Sequence, residues 1–283
     1  MKRWPMVIFI LLILTLHFPM YGHALSFPNS INMKMLYIEG GEFIMGDQGS
    51  QGGFDEKPAH AATISPFYLS ETTITVAQWR QFYEDSDTAW DLWDSVKKYS
   101  PDKESPIIFI SYNDAIEFCA WLSEKEGRNY RLPTEAEWEF AARGGSTGKE
   151  YPWGDTPPDG TQCNFADMDE YEKDKDLWAA EATVSDGYAY CAKVHAYTPN
   201  GYGLYQMSGN VLQWCQDWYF SHYYHEAPSD NPKGPESGNE KVLRGGAWCF
   251  PPVMVRVSDR YNLNPSIRKE FIGFRIAIDR FNK

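Results

Sequence analysis

Three stretches of the chain carry a helical hydrophobic period, and each opens on a polar residue able to cap it. Thr75-x-x-Gln78 has the form of a capping box, and Val76, Trp79 and Tyr83 then fall on one face. Asn113 precedes a run in which Ala115, Ile116, Cys119 and Leu122 share a face, and Gly127 marks its end. Thr134-x-x-Glu137 is a second capping box, with Trp138 and Ala141 turned inward and Gly144 just past the last turn. Strand character lies further upstream. Met35 to Gly46 predicts two short strands joined as a hairpin at Gly40-Gly41, and Ala62 to Leu69 predicts another. Glu84–Ser105 is polar and aromatic without a period, which predicts a surface insertion. After Gly145 no long period appears, while Pro, Gly, Trp and Tyr recur. That half is expected to be irregular loop held by aromatic packing, with short strands around Val242 and Phe274. The acidic run from Asp167 to Asp176 reads as a solvated insertion.

The N-terminus has a different pattern. Lys2 and Arg3 precede an apolar run from Val7 to Leu16, and Gly22-His23-Ala24 supplies small residues for peptidase recognition. This predicts a secretory signal cleaved after Ala24, because the run falls well short of the ~20 residues that a bilayer span needs. The expected organisation is a signal at residues 1–24, a tether at 25–34 and one domain at 35–283. The product would be secreted or periplasmic, with no membrane attachment after cleavage.

Charge and cysteine content narrow the partners. A net charge of −13 argues against nucleic acid and anionic membrane surfaces, and suits cationic partners or bound cations. Five cysteines are an odd number for an oxidising compartment, so at least one thiol is left over or pairs outside the chain. Cys163 and Cys191 bracket the acidic run and could be joined. Cys215 and Cys249 are a second possible pair. In Val242-Leu-Arg-Gly-Gly-Ala-Trp-Cys249 the two glycines permit a sharp turn or a close backbone approach, followed by a large ring and a thiol suited to a cleft. His222 and His225, with Glu226, have a spacing that could gather a metal, but their Tyr-, Pro- and Asp-rich surroundings read as a surface loop.

Ten short motifs then occur in a characteristic order. They are Phe43-Ile-Met-Gly46, Glu56-x-Pro58-x-His60, Thr73-Ile-Thr75, Arg131-Leu-Pro-Thr-Glu-Ala-Glu-Trp-Glu139 and Ala141-Ala-Arg-Gly-Gly145. Tyr151-Pro-Trp-Gly154, Pro199-Asn-Gly-Tyr-Gly-Leu-Tyr205, Gly209-Asn-Val-Leu-Gln-Trp214, Arg244-Gly-Gly-Ala-Trp248 and Gly273-Phe-Arg275 complete the series. Together they resemble the sulfatase-modifying-factor family, which includes the formylglycine-generating enzymes, over nearly all of residues 35–280. The resemblance implies a single α+β domain related to C-type lectins, with little regular secondary structure.

The resemblance also implies a chemistry that this chain only partly matches. Formylglycine-generating members carry a Cys-x4-Cys pair after the Gly-Gly turn and bind copper there, as two soft thiolates suit Cu(I). Here the run holds one cysteine, Cys249, with Met254 five residues on, and Ala247 where serine is usual. The cysteine-pair oxidase mechanism and its copper are therefore not expected, and Cys249 remains the only catalytic candidate. Iron is not expected either, because the iron-dependent branch needs a histidine triad in an added domain.

The family's calcium sites would carry over to Asn164, the Phe165 carbonyl, Asp186 and the Tyr188 carbonyl. A second site would use carbonyls around Ser208, Gly209 and Val211, with Gln213 where many members have Glu. The alternative is that Asp186-Gly187 is simply a turn. Trp248, Cys249, Arg256 and Arg260 would line the ligand cleft, with Arg244 a structural fork. The expected role is that of exported members lacking the cysteine pair, such as the pyoverdine-maturation proteins: oxidative maturation of a peptide or peptide-derived substrate. A non-catalytic ligand-binding module is the alternative, and formylglycine generation is disfavoured.

Overall fold

The computed structural model describes residues 26–86, 90–169 and 184–280. The predicted signal segment and most of the acidic run lie outside these residues. Strands β1 (Ser26–Pro28), β2 (Lys34–Ile38), β3 (Gly41–Met45), β4 (His60–Ile64) and β5 (Phe67–Ser70) open the chain. Helices α1 (Val76–Asp85), α2 (Trp93–Tyr99) and α3 (Tyr112–Glu126) follow, then β6 (Tyr130–Arg131) and α4 (Glu135–Arg143). A long irregular stretch leads to β7 (Leu212–Trp218), β8 (Lys241–Arg244), β9 (Arg260–Leu263), β10 (Ile272–Gly273) and β11 (Ala277–Asp279). This is the mixed helix-and-sheet domain that the motifs implied.

One five-stranded sheet has the order β1-β2-β5-β11-β6, and a four-stranded sheet has the order β10-β7-β8-β9. Strand β11 slots between β5 and β6, pairing Ala277 with both Leu69 and Arg131, so the end of the chain locks its beginning in place. Helix α4 packs against β3, β4, β7 and β8, and every one of its residues is buried. It can be charged throughout only because those charges are paired, as described below. Around α1 and α3 the core is aromatic: Trp79 stacks on Phe118 at 5.7 Å, and Phe274 meets Phe118 edge-on at 5.3 Å. No helix among the described residues is long and apolar enough to cross a membrane.

The capping chemistry sets the helix ends. Thr75 and Thr134 accept from the N–H groups of Gln78 and Glu137, and both boxes are closed reciprocally. Helix α3 starts two residues earlier than Asn113 predicts. Ser111 is its cap, closed by Asp114, and Phe118 rather than Ile116 completes the buried face. Helices α3 and α4 end on Gly127 and Gly144 in the left-handed conformation, as their positions imply.

Four further expectations are corrected. The supposed tether contains β1, which pairs with β2, and Ile31 and Met33 beside it are buried in the core. Residues 35–46 form no hairpin: β2 joins the five-stranded sheet, while β3 pairs with β4 in a separate ribbon. Gly40 makes the crossing, since at φ +74° a Cβ there would lie 2.1 Å from the Ile64 carbonyl oxygen. The stretch 84–105 is not a surface insertion, because Trp90 and Val96 enter the core and α2 lies within it. Finally, the second half holds β7, in which every residue but Gln216 and Trp218 is buried. A strand covered on both faces has no alternating pattern to reveal it.

Candidate functional site

The Gly245-Gly246 turn closes β8 onto the segment that follows it. Gly246 sits at φ +68°, and a Cβ there would lie 2.4 Å from the Met254 carbonyl oxygen. The segment is anchored by arginines. Arg244, fully buried, donates to the Ser258 carbonyl at 2.7 Å and to Glu139 on α4. Glu139 also accepts two bonds from Arg143 and one from the Gly46 N–H. Arg256 forks onto Glu56 with two bonds of 2.8 Å, and Arg260 forks onto Glu135 at 2.7 and 2.9 Å. Arg244 is thus the structural fork foreseen. Arg256 and Arg260 are 2% and 7% exposed, so their assignment to ligand contact is corrected. Buried guanidinium groups with their donors committed to carboxylates hold elements together rather than greet a ligand.

Trp248 is buried too, at 2% exposure, so its expected place in the lining of a ligand cleft is corrected as well. Its N–H donates to the Asn210 carbonyl at 3.0 Å, and its ring stacks on Tyr99 at 5.9 Å and meets Tyr190 edge-on at 5.1 Å. Tyr99 and Tyr190 are half-buried. They form the outer layer of an aromatic wall whose inner layer is Trp248. Cys249 follows at the end of the turn, and it is the only one of the five cysteines that is partly exposed.

The cysteines form no disulfide in this structure, which corrects both proposed pairs. Cys163 and Cys191 sit in different apolar clusters, and so do Cys215 and Cys249. Burial raises the thiols of Cys119, Cys163, Cys191 and Cys215 above their ordinary range, because a thiolate is poorly solvated in an apolar interior.

A second centre gathers oxygen ligands. One carboxylate oxygen each from Asp167, Asp169 and Asp186 lies within 4.8 Å of the others. Asp186 accepts from the N–H groups of Phe165 and Tyr188 at 3.0 and 2.9 Å, and its own N–H donates to Asp167. Burial, then the neighbouring Asp167 charge, pushes the Asp186 carboxyl up to about 8. Beside it, the Oδ1 of fully buried Asn164 has no hydrogen-bond partner. Crowded carboxylates and an orphaned amide oxygen form a donor set that fits a hard divalent cation such as calcium. The structure therefore sets Asp186 against Phe165 and Tyr188, beside Asn164, through their N–H groups rather than through the carbonyls expected as ligands. It adds Asp167 and Asp169, which had been read as part of a solvated run. The alternation Asp167-x-Asp169 was the signal available.

The second cation site does not assemble. The Gln213 side-chain oxygen accepts from Trp138 at 2.8 Å and from Arg275 at 2.6 Å, while its amide donates to the Gln206 carbonyl. Two donors fill the two lone pairs, so nothing is left for a cation, and Gln213 is instead a buried hub. The nearby Gly209 carbonyl accepts from Val211. His222 and His225 stand exposed at the start and end of a single turn whose Tyr223 and Tyr224 are buried, with their ring centroids 6.1 Å apart. They gather no third ligand: among the described residues the Asp167 cluster alone brings three together.

Comparisons with known proteins fit this geometry. The family described as sulfatase-modifying factor enzyme 1-like domain matches residues 23–280. The formylglycine-generating enzyme of Streptomyces coelicolor is 31% identical, over 86% of this chain and 88% of that protein. A mouse protein named inactive C-alpha-formylglycine-generating enzyme 2 is 30% identical, over 86% and 85%. The solved structure of PvdO from Pseudomonas aeruginosa superposes with a TM-score of 0.76 at 29% identity, covering 90% of this chain and 98% of PvdO.

Proposed function

The chain belongs to the sulfatase-modifying factor enzyme 1-like family, and from that premise we propose that it is an exported maturation factor for a peptide or peptide-derived substrate. The reaction is oxidative and does not use the cysteine pair of the formylglycine-generating members. One observation carries this reading. The family's Gly-Gly turn is intact, but the only accessible thiol at its end is Cys249, and every other cysteine is buried. A two-thiolate copper site cannot be built there without unfolding the core. The extent of the likeness to PvdO supports the maturation role, and the partly exposed rings of Tyr99 and Tyr190, backed by buried Trp248, support a peptide ligand, since rigid rings give contact area at low entropic cost. In this reading the Asp167–Asp169–Asp186 centre holds calcium in a structural role, stiffening the loop that carries Tyr190.

The test is aerobic incubation of the purified protein with a peptide library, following oxygen uptake and product mass. Oxygen uptake with a mass change in at least one peptide is expected. Peptides retained by the protein without uptake or mass change would instead make it a binding module. That second reading is favoured by the same aromatic wall and by the 30% identity to a relative named as inactive.

A further inference from the structure

A turn shortly after β7 carries two histidines that the Gly-Gly turn does not use. The His225 N–H donates to the His222 carbonyl at 3.1 Å, closing a single 3-10 turn. In such a turn the side chains of residues i and i+3 eclipse one another, so both imidazoles leave the backbone on one side. Their ring centres lie 6.1 Å apart with planes inclined by 28°, and both residues are exposed. Two imidazoles sharing one ion at Zn–N distances of ~2.0–2.1 Å have ring centres roughly 5–6.5 Å apart. The pair is already spaced for a common ion, and only rotation of the exposed rings is left to aim the nitrogens.

The backbone beneath is held, which separates this pair from two histidines on a loose loop. Tyr223 and Tyr224, between the histidines, are 6% and 2% exposed. Tyr224 packs against the Arg260 guanidinium at 4.4 Å and against His60 at 4.8 Å, and Arg260 is itself forked onto Glu135. One Arg260 nitrogen also donates to the Asp55 and Phe220 carbonyls, at 2.9 and 3.4 Å. The neighbouring Phe54 ring and that of Phe220 flank His222 at 6.0 and 5.8 Å. Both phenyl groups stay at the surface, 69% and 44% exposed. An apolar rim of this kind limits the access of solvent to an ion held between the rings. Ser221 Oγ lies 3.0 Å from His222 Nδ1. When Nδ1–H donates to that oxygen, Nε2 keeps its lone pair for a metal, and coordinating histidines commonly have such an outer hydrogen bond.

We propose that His222 and His225 form a binding site for a divalent transition ion of the zinc and copper class, with water in the remaining positions. Imidazole suits these ions, whereas calcium and magnesium want oxygen donors. Such a site therefore leaves hard cations to the Asp167–Asp169–Asp186 centre. Two protein ligands keep the ion open to exchange and to a donor from outside the chain. The site takes no residue from the Gly-Gly turn, and it stands whether or not the chain matures a peptide.

The measurement is calorimetric titration of the whole folded protein with zinc, without a histidine tag and in saturating calcium. One zinc per chain is expected. His222→Ala and His225→Ala should each weaken it at least about tenfold. The melting temperature without zinc should not change in either variant, because both rings are exposed. Cys249→Ser should bind zinc like the wild type. Copper(II) in place of zinc should bind more tightly, and its electron paramagnetic resonance spectrum should show two coordinated nitrogens, falling to one in either histidine variant. Absence of zinc binding to the wild type overturns the proposal. So does binding that either histidine variant leaves unchanged, or binding that is lost in Cys249→Ser.

Discussion

Arg256 meets Glu56 through two hydrogen bonds of 2.8 Å across 200 residues of chain. Both side chains are almost wholly buried. Burial by itself would raise the Glu56 carboxyl, but the Arg256 guanidinium overrides that and holds it below its ordinary range. The pair fastens the start of the domain to the segment between the Gly-Gly turn and β9, and so helps to fix where Cys249 lies. Removing one partner strands the other charge in a dry interior. Glu56→Ala or Arg256→Met should therefore each cost about 3–5 kcal/mol in urea unfolding. The double variant Glu56→Leu/Arg256→Met should cost clearly less than either single one. A single-variant loss near zero would mean that water reaches the pair.

Calcium binding should depend on pH in a fixed direction. The Asp186 carboxyl, ordinarily at 3.8, is raised to about 8 in the folded protein. The stability supplied by its proton is present below the unfolded value and lost as pH rises through about 8. Calcium bound there as proposed would take the place of that proton, so its effect should grow across the same window. At 100 times its dissociation constant, saturating calcium should add about 2.7 kcal/mol. The rise in melting temperature should be larger at pH of about 8.5 than at about 6. Asp186→Asn should remove both the rise and its pH dependence. A rise of equal size at both pH values would place calcium elsewhere.

Thiol labelling tests the account of the cysteines. In the folded protein a maleimide should react quickly with one thiol per chain, at Cys249, because the other four are buried and their thiolates are disfavoured. All five should react in denaturant. Cys249→Ser should lose the fast phase completely. Fast labelling of a second cysteine would reopen the question of a two-thiol site.

The turn itself makes a sharp prediction. Gly246→Ala would press a methyl to 2.4 Å from the Met254 carbonyl oxygen at φ +68°. A loss of ~2 kcal/mol or more is expected in denaturant unfolding, with thiol labelling at Cys249 becoming faster as the turn loosens. Unchanged stability would show that the segment around Met254 can give way.

The helices were readable because their capping boxes are local. Thr75 with Gln78, and Thr134 with Glu137, need only four residues to be recognised. The sheet pairings were not, because Gly40-Gly41 looks the same whether it turns a hairpin or carries the chain between sheets. Strand β7 was hidden by being buried on both faces. At the candidate site, the motifs pointed to the Gly245-Gly246 turn, but the fate of Arg256 and Arg260 depends on Glu56 and Glu135, which lie more than a hundred residues away in sequence. Gln213 likewise looked like a weakened cation ligand until Trp138 and Arg275 were found to occupy its oxygen. Asp167 and Asp169 were missed because a run of charge is normally solvated, and only folding shows which members of it turn inward.

In the proposed function this family scaffold works at its Gly-Gly turn without a cysteine pair. The most direct measurement is aerobic incubation with a Cys-x-Pro-x-Arg peptide in the presence of copper, following thiol loss and aldehyde formation by mass. The account predicts an unchanged peptide, with Cys249→Ser indistinguishable from the wild type. Catalytic aldehyde formation that disappears in Cys249→Ser would contradict it.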